Sequence, residues 1–290
     1  MLWGWRRDGV AGDGERTQLR RMLDLLPADA MLLADAGFSG YDLFKALLDR
    51  GNSFLVRVGS NVKLIQNLGY ATIERKQTVY LWPLDKQGRN RRSMPRDLAR
   101  VHPPLVLRLI ELAADAKGGK VFLLTNVLDA GKLSDRAAAR MYRLRWGIEV
   151  MWRGLKQTMG HHRLLSRTPA RAGAELDWAM AGLWMLQLLG GSRMIRTGQS
   201  PRCHSPAKTL RVVRGALNGG RRRRRQSLHA QLGLAARDTY RRTGSKRARH
   251  FPKKSSPRPP GSPEARMASA IEKRLIQRIL KRPPPELVAA

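Results

Sequence analysis

The chain has 290 residues, of which 42% are hydrophobic, enough to bury the core of one large domain or two smaller ones. Its 56 Lys and Arg residues outnumber 22 Asp and Glu residues, and the net charge of +34 favours a nucleic acid partner over an anionic membrane surface. The single cysteine, Cys203, excludes an intramolecular disulfide and a cysteine-based zinc site, and it indicates a reducing compartment. The most apolar run, 178–189, is shorter than the roughly 20 residues that span a bilayer, and it predicts a buried helix instead.

The first predicted elements are a helix and a strand. Leucines at helical spacing predict a helix over residues 15–26, and Pro27 ends this helix. The apolar run 31–34 then predicts a buried strand that ends at Asp35.

A second helix and strand follow Gly37. Ser39 and Asp42 are spaced as a capping box for a helix that extends to Arg50. Gly51 suits the position that closes this helix, and residues 54–58 predict the next strand.

The pattern between residues 60 and 127 consists of short apolar runs separated by polar, basic loops, which predicts an inserted β-rich subdomain. The predicted strands cover 62–65, 78–82, 105–110 and 121–127. Helical periodicity returns at Ser134, a predicted N-cap, and persists to about Leu189 with a break near 167–169. We expect the tryptophans of these helices in the core or at an interface: Trp146, Trp152, Trp178 and Trp184.

The last ninety residues differ in composition from the rest. Residues 201–290 hold 24 Lys and Arg against 4 Asp and Glu, and they include the run Arg221–Arg225 and a Pro-rich segment. Such a composition predicts a largely extended, disordered basic tail. One helix is expected within it, because Ile271, Leu275 and Ile279 recur at helical spacing.

The segment 142–156 carries the strongest chemical pattern. On a continuous helix that turns about 100° per residue, one narrow face holds Tyr142, Arg145, Glu149 and Lys156. The opposite face holds residues that would anchor the helix on a core: Leu144, Ile148, Met151 and Leu155.

A carboxylate surrounded by cations suits phosphoryl transfer. Carboxylates hold the divalent ions that bind the attacking and leaving oxygens, while nearby cations bind the other phosphate oxygens. One acid does not suffice, and Asp35 is the best second ligand because it lies at the end of a predicted strand beside a glycine turn.

The spacing of Tyr142, Arg145, Glu149 and Lys156 resembles the signature helix of the IS-four family of bacterial insertion-sequence transposases. The segment 34–44 resembles the second-aspartate region of the same family, and 54–64 resembles the strand that follows it. The basic cluster 246–254 is similar to the tail of many members, so the resemblance extends with gaps from about residue 15 to 255.

The resemblance implies a DDE transposase that nicks and joins DNA with magnesium, two ions where the site is complete. Asp35 and Glu149 would be the catalytic metal ligands. Tyr142, Arg145 and Lys156 would contact the DNA backbone, and Trp82 would stack on a flipped base. The partners implied are transposon-end and target DNA and a second copy of the chain, with no membrane, in the bacterial cytoplasm at the nucleoid.

The implied fold class is α/β, with a partial ribonuclease-H-like core, an inserted β-rich subdomain, a C-terminal helical region and a basic extended tail. We expect the core remnant over 1–59, the insertion over 60–127, the catalytic and following helices over 128–200, and the tail over 201–290.

The first catalytic acid of the family has no matching position. It lies on the first of three strands that precede the helix at 15–26, and only fourteen residues precede that helix here. Asp8 and Asp13 lie near a Gly-rich stretch that is typical of a loop. We therefore expect a transposase that is truncated, or whose start codon is placed too late, and that is impaired. The alternatives are a non-enzymatic DNA-binding remnant and, less favoured, an RNA-binding protein.

Overall fold

A computed structural model of the chain describes residues 13–82, 102–113, 119–160, 163–218, 227–235, 237–238 and 261–281. These residues belong to two compact units. The described residues of the sheet unit lie in 13–145 and 261–281, and those of the helical unit lie in 146–238. Asp8, the run Arg221–Arg225 and the cluster 246–254 lie outside the described residues.

The described elements are taken here in chain order. The helices are α1 Glu15–Arg21, α2 Tyr41–Asp49, α3 Asp135–Arg143, α4 Trp146–Arg153, α5 Pro169–Arg196, α6 Pro206–Asn218, α7 Leu228–Ala235 and α8 Ala270–Lys281. The strands are β1 Met31–Ala34, β2 Ser53–Val58, β3 Lys63–Gln66, β4 Thr78–Leu81, β5 Leu105–Ala113, β6 Lys120–Thr125 and β7 Glu264–Met267. Strands β1 to β6 lie where the apolar runs predict them.

The strands of the sheet unit form one mixed sheet in the order β1-β2-β6-β5-β4-β3-β7. The pairs β1–β2 and β3–β7 are parallel, and the other neighbours are antiparallel. Because β6 pairs with β2, the strands of the range 60–127 continue the same sheet as β1 and β2.

Helices cover both faces of this sheet. Successive side chains of β2 point to opposite faces, as in any strand. Phe54 stacks on Phe44 of α2, with ring centroids 4.5 Å apart, and belongs to one buried cluster. Leu55 belongs to a second buried cluster that includes Ala138 of α3. The sheet therefore positions α2 and α3 on opposite sides.

The local signals at helix ends are confirmed in part. The Oγ of Ser134 accepts a hydrogen bond from the Ala137 N–H at 3.2 Å, which confirms the N-cap of α3. Gly51 has φ +72° and follows α2 as expected. The capping box at Ser39 is wrong, because Gly40 is the N-cap of α2 and the Ser39 hydroxyl instead donates to the Ala36 carbonyl at 2.9 Å.

A buried guanidinium fixes the start of α3. The side chain of Arg108 on β5 is 4% exposed, and it donates to the Leu133 carbonyl at 2.6 Å and to the Gln77 amide oxygen at 2.8 Å. It also forms an ion pair with Asp135 in the first turn of α3. This network ties α3 to the middle of the sheet.

We predict that Asp135→Ala lowers the free energy of unfolding by about 2 kcal/mol, because it removes one partner of a charge that stays buried. The effect is below that of a fully buried pair, since the Asp135 side chain is 44% exposed and Arg108 keeps two other acceptors. Urea denaturation measures the change. Asp49→Ala, which removes an exposed ion pair with Lys45, is the control and should change stability by less than about 0.5 kcal/mol.

Several elements after residue 200 differ from the expected extended tail. The described stretches include α6, α7 and α8, and β7 extends the sheet beside β3. Helix α8 confirms the helix predicted there, but Ile276 and Ile279 face the core while Ile271 is exposed. Ser269 and Glu272 form a capping box at its start. Burial of Ile276 and Ile279 among side chains of the sheet stabilises α8 despite its charge.

In the helical unit, one face of α5 is buried. Its Ala179 and Leu183 pack with Leu155, and Gly190 lies beside the ring of His204. The Nε2 of His204 lies 2.8 Å from Thr209 Oγ1 on α6. Among the described residues, no helix is both long and apolar enough to cross a membrane.

Acid is expected to weaken the helical unit through His204. Burial lowers the pKa of His204 to about 4 from the ordinary value of 6.5. Between these values the unfolded chain binds a proton that the folded chain does not. The stability that neutral His204 contributes is therefore complete above about pH 6.5 and is lost as the pH falls towards 4.

Urea denaturation of the full chain across this pH range measures the loss. His204→Gln should flatten the dependence of unfolding free energy on pH in this range. An equal slope in His204→Gln would show that other groups are responsible.

Candidate functional site

Asp35 lies directly after β1, at the position the sequence predicts. Its Oδ1 accepts a hydrogen bond from the Gly37 N–H at 3.0 Å, which fixes the carboxylate at the start of a 3₁₀ turn, Ala36–Phe38. The side chain is half-exposed, and its Oδ2 lies 4.0 Å from Nη1 of Arg145. Asp35 thus presents one carboxylate oxygen at the end of the strand.

Arg145 brings two of the predicted residues together. It lies in the turn that follows α3, and its side chain is 16% exposed. The guanidinium carbon lies 5.8 Å from the centroid of the Tyr142 ring. Residues about 110 positions apart in the chain therefore form one cluster in the sheet unit: Asp35, Tyr142 and Arg145.

The Tyr142 hydroxyl keeps its proton. Burial raises the pKa of Tyr142 above its usual value of 10.0, although the positive charges of Arg145 and Arg57 oppose the shift. A neutral phenol can donate a hydrogen bond, but the Tyr142 hydroxyl is buried in the structure.

Arg57 is a cation of this cluster that the sequence reasoning missed. It lies on β2, and its charge acts on the Tyr142 hydroxyl. The signal was present, because a single arginine interrupts the apolar run 54–58. A charged residue in a half-buried strand points to a specific partner.

The continuous helix predicted over 142–156 is wrong. A turn at 144–145 separates α3 from α4, because the N–H groups of Leu144 and Arg145 bond to carbonyls three residues earlier. Leu144 and Ile148, which were expected to anchor the helix, are each more than 40% exposed. The wheel at about 100° per residue therefore does not apply across the segment.

Glu149 and Lys156 belong to the helical unit. Glu149 is half-buried on α4, and Lys156 is exposed. Lys156 lies in a π-helical segment, Gly154–Thr158, in which the Met159 N–H bonds to the Gly154 carbonyl at 3.1 Å. Single π turns are frequent at functional sites, and this one leaves Leu155 in the core while Lys156 reaches solvent.

Trp82 lies away from these residues, in the core of the sheet unit. It is 5% exposed and belongs to a buried cluster with Tyr80 and Ile276. Apolar side chains cover its ring, which is the environment of a core tryptophan. The structure therefore gives no open stacking face at Trp82.

Asp35 and Glu149 lie in different units of the chain, so each carboxylate is a separate candidate ligand for a divalent cation. Carboxylate oxygens are the ligands that Mg²⁺ prefers, and Asp35 Oδ2 is the oxygen that the Gly37 N–H does not hold. Within the described ranges, no group of three or more His, Cys, Asp or Glu side chains could hold a metal ion. Asp13 accepts from Arg21 at 2.6 Å and precedes α1 rather than following a strand.

Arg145→Ala is predicted to weaken binding to duplex DNA by about fivefold. It should also reduce the slope of log affinity against log salt concentration by about one, the amount expected for one lost phosphate contact. The reason is the loss of the guanidinium beside Asp35, which leaves a carboxylate facing the phosphates. Fluorescence anisotropy over a series of salt concentrations measures both quantities. Arg20→Ala, at the end of α1, is the matched control, and an equal loss in that variant would assign the effect to net charge.

A comparison with protein families identifies a match that covers more than half of the chain. The model of a family described as Transposase DDE domain matches residues 10–186. The match spans the Asp35 cluster of the sheet unit and most of α5. No curated protein matches the chain.

Proposed function

Because this chain belongs to the family of transposase DDE domains, we propose that it is a DNA transposase that cleaves and joins strands at the ends of an insertion sequence by phosphoryl transfer. The family implies a ribonuclease-H-like fold, with which the mixed sheet flanked by helices agrees. The family also uses divalent metal ions. We assign magnesium to this chain, with Asp35 and Glu149 as the carboxylate ligands.

The observation that carries the proposal is the cluster at the end of β1. Asp35, Arg145 and Tyr142 come together there from distant parts of the chain, and each matches a position of the resemblance. A half-exposed carboxylate beside a mostly buried guanidinium at one strand end is an arrangement that a phosphate-binding site would use.

Each residue then has a defined task. The bond from the Gly37 N–H holds the Asp35 carboxylate in one orientation, so that Oδ2 is ready to accept a cation. Arg145 binds a non-bridging phosphate oxygen through its guanidinium, which is the side chain best shaped for this contact. The Tyr142 hydroxyl, which is buried in the structure, donates to a second phosphate oxygen once DNA binding exposes it, and the exposed Lys156 binds the DNA backbone. Asp35 and Glu149 would hold the divalent ion, which would supply an activated water and neutralise charge on the phosphate.

The net charge of +34 supports DNA as the substrate, because phosphate contacts supply most non-specific affinity for a duplex. The charge carries no sequence information. Recognition of the transposon ends therefore depends on contacts to base edges or on DNA shape.

The experiment uses the full chain and a supercoiled plasmid that carries the inverted repeats flanking its gene. With Mg²⁺ we expect slow single-strand nicks at the repeat ends that leave a 3′ hydroxyl, as for an impaired transposase, and no nicks with EDTA. DNA binding at the repeats without nicking would instead support a non-enzymatic DNA-binding protein. Equal binding of RNA and of repeat-free DNA would support the RNA-binding alternative.

A further inference from the structure

Helix α6 presents one narrow polar face to solvent. Four exposed residues follow one another along it in steps of four, three and four: Ala207, Arg211, Arg214 and Asn218. A helix turns about 100° per residue, so these four side chains point in nearly the same direction. We call this set, together with the exposed Gly215 beside it, the α6 outer face. No acidic residue occurs in the sequence of α6, so the outer face is positively charged.

The opposite side of α6 is fixed in the helical unit. Thr209 is fully buried, and its Oγ1 lies 2.8 Å from Nε2 of His204. Helix α6 packs against α5 and α7, and it also contacts the π-helical segment Gly154–Thr158 that carries the exposed Lys156. The α6 outer face is therefore held in place beside the segment whose lysine we have assigned to the DNA backbone.

The residue types of the α6 outer face suit the edges of base pairs. Arginine donates two hydrogen bonds to O6 and N7 of guanine, and the asparagine amide pairs with N6 and N7 of adenine. These edges lie in the major groove, which is about 12 Å wide and admits an α-helix. Arg211, Arg214 and Asn218 thus carry towards solvent the groups that distinguish one base pair from another.

Small residues on the same face leave room for DNA to approach the helix closely. A Cβ at Gly215 would meet nothing within 4 Å, so packing does not require glycine at this position. Glycine inside a helix is less stable than alanine, and one of its uses is to let a ligand come close to the backbone. Gly215 and Ala207 therefore allow the backbone of α6 to lie near the base pairs.

The spacing along α6 determines how many base pairs it can read. At a rise of about 1.5 Å per residue, Arg211 and Arg214 lie about 4.5 Å apart along the axis, and Asn218 lies about 6 Å further on. Base pairs follow one another at about 3.4 Å. The three side chains therefore match two guanines and one adenine within about four successive base pairs.

We propose that α6 enters the major groove of duplex DNA and reads its sequence, with Arg211 and Arg214 on guanines and Asn218 on an adenine. Helix α6 lies beyond residues 10–186, the segment that matches the transposase family, so the match assigns it no role. The inference rests on the proposed function for its substrate, DNA. It supplies the readout of base edges that phosphate contacts do not provide.

Selection from a pool of random DNA duplexes tests the proposal, with the full chain in EDTA and about 0.2 M salt to lower sequence-independent binding. The wild type should enrich a motif with two guanines and one adenine within about four successive base pairs. Arg211→Lys keeps the charge but loses the two-point contact, so the preference for one of the guanines should fall by about tenfold. Asn218→Ala should lower the preference for the adenine alone by a similar factor.

Lys156→Ala is the matched control, because the loss of a phosphate contact should weaken binding to every duplex by the same factor and leave the motif unchanged. Circular dichroism confirms that the variants stay folded. The proposal is overturned by a wild type without base preference, or by a motif that Arg211→Lys and Asn218→Ala leave unchanged. It is also overturned if Lys156→Ala alters the motif as much as they do, or if single-stranded RNA of the selected sequence binds equally well.

The selection separates this inference from the proposed function, because EDTA excludes cleavage. A selected motif that depends on Arg211 and Asn218, without nicking in Mg²⁺, would contradict the proposed function and support the role of α6. Nicking in Mg²⁺ without any selected motif would contradict the role of α6 alone.

Discussion

Replacing Asp35 by Asn, or Glu149 by Gln, is expected to lower the rate of magnesium-dependent DNA strand cleavage by about 10³-fold. Each change keeps the size of the side chain but removes the negative charge that holds a divalent cation. Because the two carboxylates are assigned to one catalytic unit, the double variant should cleave no more slowly than either single variant. Nicking of a supercoiled plasmid under single-turnover conditions measures the rate.

Binding provides the control for this loss. Both variants should bind DNA as tightly as the wild type or slightly more tightly, because each removes a negative charge. Asp42→Asn, an exposed carboxylate on α2, should leave cleavage unchanged. Cleavage that survives in Asp35→Asn or Glu149→Gln at the wild-type rate would remove that residue from the site.

The second large effect concerns stability. Gly190→Ala should lower the free energy of unfolding by about 3 kcal/mol, since overpacking a filled site costs this much at its upper range. A methyl group at this position would overlap Nε2 and Cδ2 of His204 and lie 2.8 Å from Thr209 Oγ1. His204 has little room to move, because its neighbour Thr209 is fully buried and hydrogen-bonded to it.

The matched change is Gly215→Ala on α6. A methyl group there would meet nothing within 4 Å, and replacing glycine by alanine inside a helix stabilises it by roughly 1 kcal/mol. The two variants should therefore shift the urea midpoint in opposite directions. Equal shifts would mean that the contact between Gly190 and His204 does not limit packing.

The parts of the fold that were predictable have local causes. Apolar runs bounded by turns located β1 and β2, and the Ser134 hydroxyl located the start of α3. The position of Asp35 after a strand and before a glycine turn was predicted, but its role as a metal ligand stays a prediction, because an aspartate there often only caps the turn, as Asp35 does for the Gly37 N–H. The pairing of β7 with β3, about 200 residues apart, has no local signal, since a pattern shows that a strand forms but not which strand it joins.

The candidate site was predicted less completely than the strands, because its geometry also depends on contacts that have no local signal in the sequence. A helical wheel assumes an unbroken helix, and the turn at 144–145 depends on hydrogen bonds that residue types alone do not reveal. The run 178–189 was expected to form a buried helix, but Trp178 and Met185 on α5 are 79% and 59% exposed. The sequence does not determine the environment of Trp82, because a tryptophan at the end of a strand suits a buried core and a binding surface equally well. In the structure Trp82 lies in a buried cluster with Ile276 of α8.

The central claim is that Asp35 and Glu149 each bind a divalent cation that cleavage requires. Iron-directed cleavage of the chain itself tests it most directly, because Fe²⁺ bound in place of Mg²⁺ generates radicals that cut the backbone nearby when ascorbate and peroxide are present. We predict fragments that end near Asp35 and near Glu149, suppressed by excess Mg²⁺ and lost near each residue when Asp35→Asn or Glu149→Gln removes its carboxylate. The absence of cuts near either carboxylate, or cuts that persist near a residue whose carboxylate has been removed, would contradict the claim.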